Sequence, residues 1–108
     1  MIHITIFRNQ GTIKEFNCIG HAEFAEAGQD IVCAGVSALV INAINSIESL
    51  TSTELKLVSD QESGLIDVTF PEGLSSEAQL LLDSMILGLQ GIRKDYGKEF
   101  LSLDFKEV

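Results

Sequence analysis

The sequence predicts an α+β fold: a two-layer sandwich in which a mostly antiparallel sheet carries two helices, in the order ββαββαβ. Three observations predict it. Apolar and polar residues alternate with period two near both ends of the chain and around residue 66. Two long stretches, opening near residues 31 and 76, place apolar residues at helical spacing. Short turns join the strands into hairpins, so the pairing is mostly antiparallel, and two amphipathic helices suffice to cover one sheet face.

The elements follow in order. Ile2, Ile4 and Ile6 alternate with His3, Thr5 and Phe7, the pattern of a half-buried strand. Asn9-Gln10-Gly11 is turn chemistry, so Thr12 to Ile19 forms the second arm of a hairpin. Residues 20–29 carry little pattern and read as a loop or a ragged helical turn. Asp30 is a suitable N-cap, and Val32, Val36, Leu39, Val40, Ala43, Ile44 and Ile47 then define a buried helix from about Ile31 to Ser49. Thr51-Ser52-Thr53 breaks it. Leu55 and Leu57, then Leu65 to Phe70, give two strands around a turn at Asp60 to Gly64. After Pro71-Glu72-Gly73, Ser76 and Gln79 have capping-box spacing. Leu81, Met85, Leu89, Ile92 and Tyr96 form one helical stripe that stops at Gly97. Leu101 to Phe105 alternates again as a last strand.

The 108 residues amount to one domain, 1–108, and 45% apolar composition supports a continuous core. Sixteen acidic residues against seven basic ones leave a net charge of −9. That counts against nucleic acid and anionic membranes as partners and favours a basic one. The N-terminus lacks the pattern of a signal peptide, and no unbroken apolar run reaches the roughly 18 residues of a membrane span. A cytoplasmic protein with reduced thiols is expected. A sheet covered on one side leaves its other side free, which suits a homodimer.

Residues 20–37 hold the candidate chemistry. With Asp30 as N-cap, Cys33 falls in the first helical turn, where unpaired N–H groups and the helix dipole favour a thiolate and could form part of an oxyanion site. His21 ends the second strand, where the chain turns back toward the helix start. A Cys–His pair is an activated nucleophile with its general base. Ser37 lies one turn after Cys33 on the same helix face. Glu23 and Glu26 flank these residues and would attract a basic peptide. Each residue also has an inert explanation. Cys33 serves as a small apolar filler, His21 as a surface residue, Asp30 as a cap, Ser37 as a small packing residue, and Gly20 and Gly28 as turn residues of unusual φ. Spacing alone leaves both readings open, with inert structure the simpler. Cys18 reads as a buried structural thiol and His3 as an exposed surface residue. No metal-ligand spacing and no phosphate-binding glycine loop is present, so no cofactor or metal is expected.

Gly20-His21-Ala22, followed by Gly28-Gln29-Asp30-Ile31-Val32-Cys33-Ala34-Gly35-Val36-Ser37, resembles the signature of the bacterial ribosomal-processing cysteine proteases (Prp, or YsxB-like, family). The resemblance covers the whole chain, and a His separated by eleven residues from the Cys of an Asp-Ile-Val-Cys-Ala block forms a specific motif. It implies a cytoplasmic, homodimeric cysteine endopeptidase. Such an enzyme removes the N-terminal extension of a large-subunit ribosomal protein precursor of the L-twenty-seven type, cutting after a hydrophobic, Phe-rich stretch. It further implies Cys33 as nucleophile and His21 as general base, with a loop between them that orders around substrate. Asp30, Ser37, Gly20 and Gly28 fall on matching positions in a supporting role. The competing readings of the sequence are a non-catalytic ribosome-assembly or protein-binding domain and a redox-sensing thiol.

Overall fold

A computed structural model describes residues 1–20 and 27–108, with residues 27–30 described by their backbone alone. Among these residues five strands and two helices follow the expected order: β1 (Ile2–Asn9), β2 (Thr12–Ile19), α1 (Ala27–Leu50), β3 (Lys56–Asp60), β4 (Leu65–Thr69), α2 (Ser76–Tyr96) and β5 (Leu101–Glu107). The five strands form one sheet in the order β3-β4-β2-β1-β5. Pairs β1–β2, β2–β4 and β3–β4 are antiparallel, whereas β5 pairs with β1 in parallel, Ile2 opposite Leu101. Both helices are therefore crossovers. One returns the chain from β2 to β3 past the position of β4, and the other carries it from β4 across β2 and β1 to the far edge. A crossover helix runs against its strands, so α1 begins at the sheet end where β2 stops, and β3 comes back to that same end.

The period-two pattern sends Ile2, Ile4, Ile6, Phe16, Cys18, Val68, Leu101 and Leu103 into the core. Ile13 joins them although it lies three residues from Phe16. The register between β1 and β2 shifts between Phe7 and Arg8, so Lys14 is an extra residue, and this bulge turns both Ile13 and Phe16 inward. Above the sheet, Val32, Val36, Val40, Ala43, Ile44 and Ile47 of α1 and Ala78, Leu82, Met85 and Leu89 of α2 complete the same core. By length and composition Ile31–Leu50, with a mean hydropathy of 1.7, could cross a membrane. The unbroken-run criterion overlooks it because Ser37, Asn42, Asn45 and Ser46 interrupt the apolar residues. In the fold this helix lays its valine stripe on the sheet.

Two helix starts differ from the sequence expectation. The first helix opens at Ala27, four residues before Ile31. Nothing in Ala27-Gly28-Gln29 stops a helix, because a glycine costs only about 1 kcal/mol in one. Gly28 therefore lies within the first turn rather than in a turn of unusual φ, and Asp30 is the fourth helical residue rather than the N-cap. The second helix is capped by Ser75, not Ser76: the Ala78 N–H donates to the Ser75 hydroxyl at 3.2 Å. Thr53 fixes this cap, accepting from the Ser75 N–H at 2.8 Å and donating to its hydroxyl at 2.9 Å.

On the helix-free face Glu15 and Asp67 meet diagonally across β2 and β4, two residues apart in register. Their hydrogen bond, together with partial desolvation and the Asp67 charge, pushes the Glu15 carboxyl up to about 7. The folded state thus holds a proton that the unfolded chain releases near 4.5. Stability from this pair is complete below the unfolded value and is lost as pH rises through the folded one. The melting temperature of Glu15→Gln should vary less than that of the parent between about pH 5 and about pH 8, and exceed it at the upper end. Parallel pH dependence in thermal melts of the two proteins would refute the shared proton.

Candidate active site

The end of β2, the first half of α1 and the β3–β4 turn converge at one end of the sheet. Between them lies a cavity of about 350 Å³. Cys33 and Ser37 reach it from α1, Cys18 from β2 and Gly20 from just beyond that strand, and Ser59, Asp60 and Gln61 from the end of β3 and its turn. Ile2 and Val36 form apolar parts of its wall. The spacing of four places Cys33 and Ser37 on one helix face, half-buried and exposed respectively. Val32 and Val36 are almost fully buried and fix the rotation of that face.

Because α1 opens at Ala27, Cys33 is its seventh residue and sits in the second turn. The unpaired N–H groups of the helix belong to the first turn, before Cys33. The sequence expectation that Cys33 itself stands among them is therefore corrected. His21, Glu23, Phe24 and Glu26 lie outside the described residues, as does the side chain of Asp30.

Gly20 is the last described residue before His21, and it is a glycine for two reasons. Its φ is +110°, where a side chain is strained, and a Cβ there would collide with the Met1 carbonyl. Close approach of Gly20 to the first residue of the chain sets where β2 leaves the sheet. By contrast Gly73, at φ +82°, has open space around it. Gly20→Ala should lower unfolding free energy in urea by about 1–3 kcal/mol and by more than Gly73→Ala does. Equal losses at the two positions would mean that the Met1 contact carries no weight.

Two features of the cavity escape sequence reading. The β3–β4 turn supplies a wall, with the Glu62 N–H donating to the Asp60 carboxylate at 3.0 Å to hold the turn. The sequence marks this stretch as a turn, but no local signal says that it faces Cys33; strand order decides that. Cys18 is buried, as its position predicts, yet it also lines the same cavity.

A family model described as cysteine protease Prp matches residues 1–100. The chain belongs to the Prp family of cysteine proteases. It is 44% identical over 101 residues to the ribosomal processing cysteine protease Prp of Bacillus subtilis (strain 168), covering 89% of this chain and 90% of that protein. Two crystal structures of an essential ribosomal processing protease Prp from S. aureus are similar throughout. The complex with a covalently linked product peptide has a TM-score of 0.88 at 36% identity, and the complex with a substrate peptide has 0.90 at 34%. Each alignment covers 98% of this chain and 100% of that one. Family membership makes the chain a cysteine protease and displaces the non-catalytic reading.

A Prp-family protease needs a thiol that ionises and is reachable. Burial, with the neighbouring Cys33 second, pushes the Cys18 thiol up to about 11. Cys18 therefore remains a thiol at neutral pH and makes a poor nucleophile. Iodoacetamide at about pH 8 should modify the folded protein once, at Cys33, and reach Cys18 only after denaturation. Peptide mass mapping of the alkylated protein reads this directly, and labelling of Cys18 in the folded state would contradict its burial.

Proposed function

We propose that this protease removes the N-terminal extension of a large-subunit ribosomal protein precursor of the L-twenty-seven type, with Cys33 as nucleophile and His21 as general base. The observation that carries the proposal is the shared cavity: Cys33 and Gly20, the covalent neighbour of His21, line the same space. Relatives named as ribosomal processing proteases support the substrate class. The net charge of −9 supports a basic precursor. The apolar walls at Ile2 and Val36 favour cleavage after a hydrophobic, Phe-rich stretch.

In this mechanism His21 takes the Cys33 thiol proton, and the sulfur attacks the scissile carbonyl carbon. The tetrahedral intermediate collapses as the imidazolium returns that proton to the leaving amine. Water, deprotonated by His21, then attacks the thioester and releases the new carboxylate and the thiol. In this reading Ser37, one turn beyond Cys33, hydrogen-bonds the peptide, and Asp30 supports the site from the first turn of the helix. The same reading carries a homodimer in the bacterial cytoplasm.

Mass spectrometry of a precursor peptide with a Phe-rich extension tests this reading. The parent should yield two fragments, whereas Cys33→Ser and His21→Ala should each slow cleavage by about 10³-fold or more. Undiminished cleavage by either variant would remove that residue from the mechanism.

A further inference from the structure

We propose that Cys18 is a resolving thiol for Cys33: once a hydroperoxide has oxidised Cys33, the two close into a reversible disulfide that halts proteolysis and spares the nucleophile. The inference goes beyond the cleavage proposed above. It uses Cys33 as a reachable thiol, whichever peptide that residue cuts.

The chain has two cysteines, both free, and both line the cavity of about 350 Å³. They come to it from opposite layers. Cys18 lies on the core face of β2, in register with Ile4 of β1 and Ile66 of β4. Cys33 comes from α1 and packs against the cluster that contains Cys18. The Cys33 charge acts on Cys18 across this space, second to burial in keeping the Cys18 proton in place. A thiol that serves only as core filler needs no opening onto a cavity, whereas Cys18 opens onto the one that Cys33 lines. A bond between them closes a loop over residues 19–32, short enough for its ends to meet at modest entropic cost. That loop contains His21, so the bond consumes the nucleophile and encloses the proposed base.

Exposure fixes the order of events. Cys33 is half-buried and meets the oxidant first, while Cys18 is buried and remains a thiol at neutral pH. The Cys33 sulfur attacks the outer oxygen of the hydroperoxide. The O–O bond breaks, an alcohol or water leaves, and Cys33 becomes a sulfenic acid. The Cys18 sulfur then attacks the Cys33 sulfur. The S–S bond forms, the S–O bond breaks, and the departing hydroxide takes the Cys18 proton as water. Reduction needs a dithiol, which supplies two electrons and becomes a cyclic disulfide. It attacks the more exposed Cys33 sulfur and expels Cys18, which takes back its proton. Without Cys18 a second hydroperoxide carries Cys33 on to the sulfinic acid, which a dithiol does not reverse.

The test treats the whole protein with hydrogen peroxide, unfolds it in iodoacetamide and digests it with trypsin. The tryptic peptide 15–56 carries both cysteines and no methionine, so its mass reports the thiols alone. From the parent this peptide should be lighter by two hydrogens and take up no alkyl group. From Cys18→Val it should gain two oxygens. Cys18→Ala provides a second replacement, and circular dichroism confirms that both variants fold. Dithiothreitol should return the parent to nearly its untreated alkylation at Cys33 and cleavage of the precursor peptide. It should leave either variant at about a tenth or less of its own untreated value. A parent peptide that is oxidised at Cys33 while Cys18 still takes up iodoacetamide would overturn the proposal. So would a disulfide joining Cys33 of two chains, or variants that recover as fully as the parent. If the untreated parent leaves the precursor peptide intact while the internal disulfide forms and reverses, the thiol pair stands and the proposed substrate fails.

Discussion

The seating of α1 on the sheet is the interaction on which the site depends. Val32, Val36, Val40 and Ile47 are almost wholly buried in one core cluster with the isoleucines of β1 and Phe16 of β2. Four such side chains contribute on the order of 1.5–3 kcal/mol each when removed from water. Their stripe leaves one rotation for the helix, and that rotation turns Cys33 and Ser37 toward the end of β2. A slip of one residue would move them by 100° and would bury Ser37 in place of Val36 or Ser46 in place of Ile47.

Contact with α2 fixes the same rotation from the other side. At Gly35 the missing side chain admits Ile92, whose Cδ1 lies 3.0 Å from where a Cβ would stand. At Gly88 the same holds for Leu39, at 2.8 Å. Each helix thus offers a glycine to a large side chain of the other, and the backbones approach closely at two points. The glycine between Cys33 and Ser37 is accordingly a packing residue that keeps the face of the helix bearing both in place.

The two thiols show how environment separates like groups. Both line one cavity, yet Cys18 belongs to the core and its ionised form is opposed by burial. Cys33 stands half-buried on a helix flank. A carboxyl pair on the opposite side of the sheet makes the converse point. Glu15 is not deeply buried, but its hydrogen bond to Asp67 keeps a proton on the pair far above the usual carboxylate range.

Element order, the strand bounds of β2 and the stop at Gly97 are legible in the sequence because they depend on local periodicity and on residues of special φ. The Gly-His and Asp-Ile-Val-Cys-Ala motifs are equally legible, and two of their residues, Gly20 and Cys33, line one cavity. The helix start was not legible there, since Asp30 carries a capping signal whether or not three residues before it continue the turn. Nor were the parallel pairing of β5, the strand order, or the face that the β3–β4 turn presents to Cys33. These depend on which distant strands meet, and long-range pairing is chosen by the burial of the whole core rather than by any local pattern. Sequence therefore determined the elements and the chemistry available to them. The tertiary structure decided which residues share a cavity, because a crossover helix brings one end of the sheet together from segments far apart in the chain.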